Sequence, residues 1–473
     1  MVIAVVLGVV VAATAPSPGQ DAPHRDPLPA SGETGKGAST ATPTTTAIPA
    51  AIAGRPAVRT VSLDDALREL DAQNLTLVQA RSRAEQARAV VREARAPVLP
   101  TLTATGSYAR NSDQARVAIA DLVRALNPAA PTQGLPPPLV IQPLEAWTGA
   151  AALRVPILAP SAWFDLSAAG QAAEASAASE DTARLQIRSA FVQAAWLAAM
   201  GEEIVAASER AVETARDQER TSRRAVSAGT AAPLSILQAQ TETTRRQGDL
   251  VRARSDQDRA ELALGVFLGR ADPVRVVLPA SAVPASLDAD ALAAEALARR
   301  PELRAQEAQV LAADRQLASA RWRLAPQLSA TGSAFASDVP YPTGKKEGWR
   351  VTVDLTWPLY DGGFRYGKAD EAAAALSGAE AARQQQRLEV AQQVKDAARD
   401  VAVARERLAL AERQRAFAAE AAASARRGFE AGVAGSIDVL DANDRLYQAE
   451  VGLASTRAQL GVALAALERA VGR

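Results

Sequence analysis

The side chains that carry most enzyme chemistry are nearly absent from this chain. Among 473 residues there is no cysteine and a single histidine, His24. Disulfides, thiolate metal sites, cysteine nucleophiles and imidazole bases are thereby removed together, and neither a metal nor a cofactor is expected. Carboxylates remain, and one pair stands out. The stretch "IDVLDA" (437–442) sets Asp438 and Asp441 three residues apart, on one face of a helix just past an "AG" corner. The bland use of such a pair is to favour the helix dipole, since anions near a helix start are stabilising. Carboxylate-only catalysis is the other chemistry open to it, and nothing else in the sequence points there, so no enzyme is expected. Lys+Arg and Asp+Glu both number 53, so no net charge marks nucleic acid as a partner.

The element that presents this pair is long. Between Pro160 and Gly229, and again after Pro358, no proline interrupts a chain that contains 27. Residues 162–228 read as one helix of roughly 100 Å at 1.5 Å per residue. In the last helix Val439, Leu446, Leu453, Leu460 and Leu467 recur every seven residues. Ala442, Ala449, Thr456, Ala463 and Ala470 are interleaved three on, a coiled-coil seam of large against small. The counterpart in the first half keeps Ile236, Leu250, Leu264, Ala239, Ala253 and Ala260, but Thr243, Arg246 and Gln257 intrude, which predicts a wetter seam. Apolar content is 48% with only 4% aromatic; the excess is mostly alanine, which suits close helix–helix contact better than a large globular core.

The chain says the same thing twice. "SLDDALRELDAQN" (62–74) answers "SLDADALAAEALARR" (286–300), and "LPTLTATGS" (99–107) answers "APQLSATGS" (325–333), so Gly106 matches Gly332 at an offset of 226 (332 minus 106). "WTGAAALRVPIL" (147–158) answers "WRVTVDLTWPLY" (349–360) at 202 (349 minus 147). "SAGTAAPLSILQAQ" (227–240) answers "EAGVAGSIDVLDAN" (430–443) at 203 (432 minus 229). The first interstrand loop, which holds "GLPPPLVIQP" (134–143), is therefore 24 residues longer (226 minus 202), while the long helices keep their lengths. Two hairpins lying side by side in one tube require that equality.

Each half also predicts two strands, about 101–110 with 148–157 and about 327–337 with 349–358. Each is near ten residues, the length of a tilted membrane-spanning strand. Trp349, Val351, Val353, Leu355 and Trp357 alternate with polar residues and form one apolar face with a tryptophan at each end, as lipid-facing barrel strands do. Trp147, Gly149, Ala151, Leu153 and Val155 form the matching face of the other strand. A soluble four-stranded sheet over a helix bundle fits the same pattern. Four strands cannot close a barrel, for which about eight are needed, and an open edge in lipid is not viable, so membrane strands here imply an oligomer.

Residues 1–15, "MVIAVVLGVVVAATA", resemble a signal peptide, although no basic residues precede the run and Pro16 follows Ala13-x-Ala15. Roughly 14 apolar residues are too few to span a bilayer, and no other segment is expected to approach the ~20 needed. Residues 16–56 read as a disordered Pro/Thr/Ala-rich linker, 57–270 as the first structural repeat, 271–285 as an equatorial linker, and 286–473 as the second repeat. The hairpin tips are expected near 228–234 and 431–437.

The duplication, the "WRVTVDLTWPLYDGG" strand exit (349–363) and the "AG…IDVLDA" corner together resemble TolC-like outer-membrane efflux channels of Gram-negative bacteria, over about residues 57–473. That resemblance implies a mainly α chain with a small β part. Its duplicated long α-helical hairpins would form a coiled-coil α-barrel, and its four strands would close a twelve-stranded transmembrane β-barrel only as a homotrimer. It also implies a location in the outer membrane extending into the periplasm, with outer-membrane lipid, a periplasmic membrane-fusion adaptor and an inner-membrane efflux pump or secretion ATPase as partners. Gly229, Thr230, Gly432 and Val433 would be the adaptor-docking tips; read without the resemblance, the glycines are only helix stops. Asp438, Asp441 and Phe429 would belong to the periplasmic gate, the aspartates forming rings that narrow the closed entrance. Phe429 stands where relatives often carry tyrosine, Ala434 replaces an arginine and Ser235 an acidic residue, so the entrance is expected to be held mainly by packing. The competing expectation is a periplasmic coiled-coil scaffold that never enters the membrane; an exposed apolar strand face discriminates against it.

Overall fold

The computed structural model describes residues 58–131, 133–135, 137–279, 287–340 and 344–473, which lie within one compact unit, Arg55–Arg473. The signal-like segment and the linker expected at 1–56, His24 included, lie outside the described residues, as do residues 280–285 of the expected equatorial linker.

Two helical hairpins dominate. The first is α4 (Pro160–Ser227) with α5 (Leu234–Phe267); the second is α8 (Phe364–Glu430) with α9 (Ser436–Val471). The outgoing helices have 68 and 67 residues, so the equality expected from the constant offset is present. Pro160 occupies the first turn of α4, where a missing N–H is harmless. On α9, Val439, Ala449, Leu460, Leu467 and Ala470 are buried as the seven-residue pattern predicts, while Leu446 and Leu453 are half-buried. Facing them, α8 buries Val390, Val394, Ala397, Val401 and Ala404 in the same four-three spacing. A second face of α9 lies on α4: the Trp196 ring covers Gly461 so closely that no Cβ fits there, and Ser189 Oγ donates to Ala465 O at 3.4 Å.

On α5 the residues that break the apolar pattern are themselves the seam. Ser235, Ala239, Thr243, Arg246, Ala253, Gln257, Glu261 and Leu264 are buried, whereas Ile236 and Leu250 are only half-buried. Buried polar groups of this kind need partners. Glu261 Oε1 accepts from Arg275 at 2.7 Å and from Gln257 at 3.1 Å.

Short elements gird the hairpins. The helices α1 (Leu63–Gln73) and α2 (Leu75–Arg95) of the first half correspond to α6 (Ala289–Arg299) and α7 (Pro301–Trp322) of the second. Strand β1 (Arg59–Ser62) pairs in parallel with β6 (Val274–Val277), burying Val61, Leu70, Phe191, Leu264, Leu268 and Val274 in one cluster. β6 falls within the equatorial linker expected at 271–285. A four-residue strand has too little alternation to be read locally, and its partner lies more than two hundred residues away. A correction concerns α4. Among the described residues it alone holds a stretch long and apolar enough to cross a membrane by length and composition; the helix as a whole packs on α2, α5, α7 and α9.

Glycine ends all four helices of the hairpins in one manner. At each, the residue after the glycine returns its N–H to a carbonyl five residues back: Thr230 to Ala225 (2.9 Å), Arg270 to Gly265 (2.9 Å), Val433 to Gly428 (2.9 Å) and Arg473 to Glu468 (2.9 Å).

Above the hairpins stands a four-stranded antiparallel sheet in the order β2-β5-β7-β8. Its strands are β2 (Thr101–Arg110), β5 (Glu145–Leu158), β7 (Gln327–Ser337) and β8 (Glu347–Thr356). The first interstrand loop carries a small hairpin of β3 (Ala115–Val117) and β4 (Leu139–Gln142) with a helix, α3 (Ile119–Leu126), between them.

Candidate functional site

The sheet divides its chemistry by face. Directly opposed residues of antiparallel strands share a face, and the pairing runs Leu102–Leu153–Gly332–Val351, Ala104–Ala151–Ala334–Trp349 and Tyr108–Trp147, with Val155–Ala330–Val353 and Leu328–Leu355 completing the same side. These members are apolar or glycine, apart from the tyrosine hydroxyl; the charges on this side, Glu347 opposite Ala336 and the Arg110–Glu145 pair, stand at its loop-side rim. The Tyr108 and Trp147 rings stand 4.8 Å apart at one end. Exposure is high along β8: Trp349 80%, Val351 64%, Val353 64% and Leu355 65%. A large exposed apolar face of this sort is a contact surface for something apolar. The opposite face carries Thr101, Thr103, Thr105, Ser107, Thr148, Arg154, Ser329, Thr331, Ser333, Arg350, Thr352 and Asp354. Ser107 and Thr148 join their hydroxyls at 2.6 Å, and the Phe335 ring lies over Gly348, where a Cβ has no room.

The expected strands fit to within three residues, with one refinement. Trp357 lies just past the end of β8 rather than inside it, and its indole N–H donates to Leu324 O at 3.1 Å, anchoring the strand exit to the end of α7. Among the described residues the outer strands β2 and β8 each pair on one side only, so both edges of the sheet are open there.

At the other end are the hairpin tips. Gly229 and Gly432 adopt φ of +72° and +74°, a left-handed conformation that glycine tolerates without a Cβ penalty. Thr230 Oγ1 donates to Ala225 O at 3.0 Å, and Val433 is exposed. Asp438 and Asp441 are exposed on the first turns of α9. Asp438 Oδ2 accepts the Gly435 N–H at 2.8 Å, the return half of a capping box whose N-cap glycine has no side chain to supply the other half, and Asp441 pairs with Arg445 at 2.9 Å, one turn on. Phe429 is half-buried near the end of α8. Ser235, where an acidic residue is missing, is buried and donates to Ala232 O at 2.7 Å.

A polar cluster that the sequence reading did not single out as a site lies about two turns into α9. Arg246, 4% exposed, bonds Glu242 at 2.7 Å on its own helix and reaches Asp444 on α9. Arg245 joins the same carboxylate at 2.6 Å, and the Tyr447 hydroxyl meets Ser208 of α4 at 3.1 Å. Burial pushes the Asp444 carboxyl up, but hydrogen bonds from Arg246 and Arg245 together outweigh it and hold the group below the usual carboxylate range. Arg246 intruding on the α5 pattern was the available signal; the missing information was which residue of another hairpin it faces. Among the described residues, no group of three or more His, Asp or Glu side chains converges as a metal site would require.

Comparisons with known proteins agree with this geometry. The family model described as "Outer membrane efflux protein" matches residues 66–270 and 292–473. Solved structures with the same fold include the CmeC outer membrane channel of Campylobacter jejuni, at 18% identity and TM-score 0.72 over 87% of this chain and 85% of that one. The outer membrane protein VceC of Vibrio cholerae matches at 17% and 0.71, over 87% and 96%. The MtrE outer membrane channel of Neisseria gonorrhoeae, in its open state, matches at 20% and 0.69, over 87% and 88%. A search of the curated proteins found no match.

Proposed function

We propose a passive transport role from one premise: the chain belongs to the outer membrane efflux protein family. It resides in the outer membrane and extends into the periplasm. As a homotrimer it is the exit duct of a tripartite efflux or type I secretion system, with twelve strands in the lipid and twelve long helices beneath them. A periplasmic adaptor seats on the tips around Gly229, Thr230, Gly432 and Val433. An inner-membrane pump or secretion ATPase supplies the energy, and the duct itself performs no catalysis.

The observation that carries this reading is the division of the sheet, short of its loop-side rim, into an apolar and a hydroxyl-rich face, combined with its two open edges. Lipid accepts the first and forbids the second. Joining β8 of one copy to β2 of the next resolves both: it closes the ladder, turns Trp349, Val351, Val353 and Leu355 to lipid and turns the hydroxyl-rich face to an aqueous lumen. Asp438 and Asp441 then recur three times around the axis at the periplasmic entrance with Phe429 beside them, and six carboxylates there favour cations. The Arg245–Arg246–Asp444 cluster ties the two hairpins of a protomer together near that entrance, a polar tie where the expected latch residues are replaced.

The test is fractionation of the native protein followed by mass measurement in detergent. An outer-membrane species of trimer mass supports the duct; a soluble monomer or dimer rules it out and leaves the periplasmic scaffold.

A further inference from the structure

The polar face of the sheet is not evenly charged, and a hollow at its foot has a guanidinium in its lining. Arg154 of β5 stands in a row with Thr101 of β2 and Thr331 of β7, its direct partners on either side, and Thr352 beyond. It is exposed, and among the described residues it makes no ion pair or side-chain hydrogen bond. Beside it opens a cavity of about 360 Å³ at the junction of sheet and helices, lined also by Gln327, Ser329, Thr356 and Ser161. Hydroxyls and an amide thus share the hollow with one unneutralised cation, the rest of its lining being apolar, with Leu99, Leu158 and Leu328 among it. The first turn of α4, which includes Ser161, closes the hollow and adds potential of the same sign. Arg350 lies on the same face, in the adjacent row with Ser333. The one carboxylate on this face within the strands, Asp354, sits opposite Ser329 and accepts the Thr352 hydroxyl at 3.1 Å. Two arginines against one aspartate leave the wall positive.

We infer that the Arg154 hollow is an oxyanion-binding station on the inner wall of the barrel, taking the carboxylate, phosphate or sulfate group of solutes in transit. The inference rests on the duct reading, which makes this face lumenal. A planar fork of donors flanked by hydroxyls suits a trigonal or tetrahedral oxyanion, and an exposed position keeps binding weak enough for release, as conduction requires. The barrel thereby differs in sign from the acidic periplasmic entrance, so an organic anion that passes the entrance meets a wall that holds it.

The experiment uses the purified full-length protein in planar bilayers, with inorganic phosphate as the probe. Phosphate added at constant ionic strength should reduce the chloride current through the wild-type channel in a saturable manner. In Arg154→Gln the half-effective phosphate concentration should rise about tenfold, and Arg154→Lys should keep most of the effect. Wild-type channels that conduct normally but ignore phosphate would overturn the station without touching the duct, and that measurement depends on no variant folding. Equal phosphate response in wild type and Arg154→Gln would move the binding elsewhere and refute the role of Arg154. Failure of the wild type to form channels would overturn the duct, and the station with it.

Discussion

Arg246 of α5 leaves its own hairpin and sets its guanidinium carbon 4.4 Å from the centre of the Tyr447 ring on α9. The ring face attracts the cation, while Glu242 and Asp444 neutralise it. Removing only the cation leaves two largely buried carboxylates with Arg245, on the exposed side, as their one remaining cation. Arg246→Leu should therefore cost roughly 3 kcal/mol and lower the thermal midpoint of the detergent-solubilised protein. Arg246→Leu combined with Asp444→Leu should recover most of that loss, because Glu242, the carboxylate that stays, keeps its ion pair with Arg245.

Acid acts on the same carboxylate. The folded-state pKa of Asp444 lies below its ordinary value, which is about 3.9. Its charge therefore contributes stability that is fully present above that ordinary value and disappears as pH falls through the lower, folded one. The difference in thermal midpoint between wild type and Asp444→Asn should stay constant from neutral pH to about 4 and shrink below it. A difference that shrinks already between pH 7 and 5 would contradict this assignment.

On the sheet, two adjacent residues of β8 should respond in opposite ways. Val353 lies on the apolar face and Thr352 on the polar one. Val353→Arg places a charge in lipid, at about 2–4 kcal/mol near the midplane, and should reduce the heat-resistant oligomer seen on gels. Thr352→Arg points into water and should assemble at the wild-type level.

The strands were legible because their faces are unmixed: Trp349, Val351, Val353 and Leu355 on one side could be read without knowing a partner. The α9 seam was legible for the same reason, its Val439–Leu467 repeat being local. What escaped reading was pairing at a distance. Neither Val274 nor Val61 announces that β6 meets β1, and Arg246 looks like a defect in a heptad until Asp444 is found opposite. The little β3–β4 hairpin in the long loop was equally hidden, since prolines at 136–138 mask the brief "LVIQ" strand that follows them.

At the tips, Gly432→Val should separate folding from partnership. A β-branched residue at φ +74° is strained by about 1–2 kcal/mol, too little to unfold helices locked along α8 and α9. Trimer yield should hold while co-purification of the periplasmic adaptor falls. Loss of the trimer itself would place the glycine in the scaffold instead.

At the entrance, Asp441→Asn should lower the cation preference of the closed channel in bilayers and leave its oligomeric state unchanged, since Asp441 pairs only with its neighbour Arg445 one turn away. An unaltered ion preference would return the residue to an ordinary role at a helix start.

Both outermost strands of the sheet are left without a neighbour, and that has a genetic consequence. A protomer that folds well but presents a damaged β8 margin still offers an intact β2, so it can enter a ring and then stop it from sealing. In the proposed trimer one faulty copy would disable the two sound ones beside it. Alleles disrupting residues 347–356 should therefore behave as dominant over wild type in a cell expressing both, whereas alleles that prevent the hairpins from folding at all should be recessive.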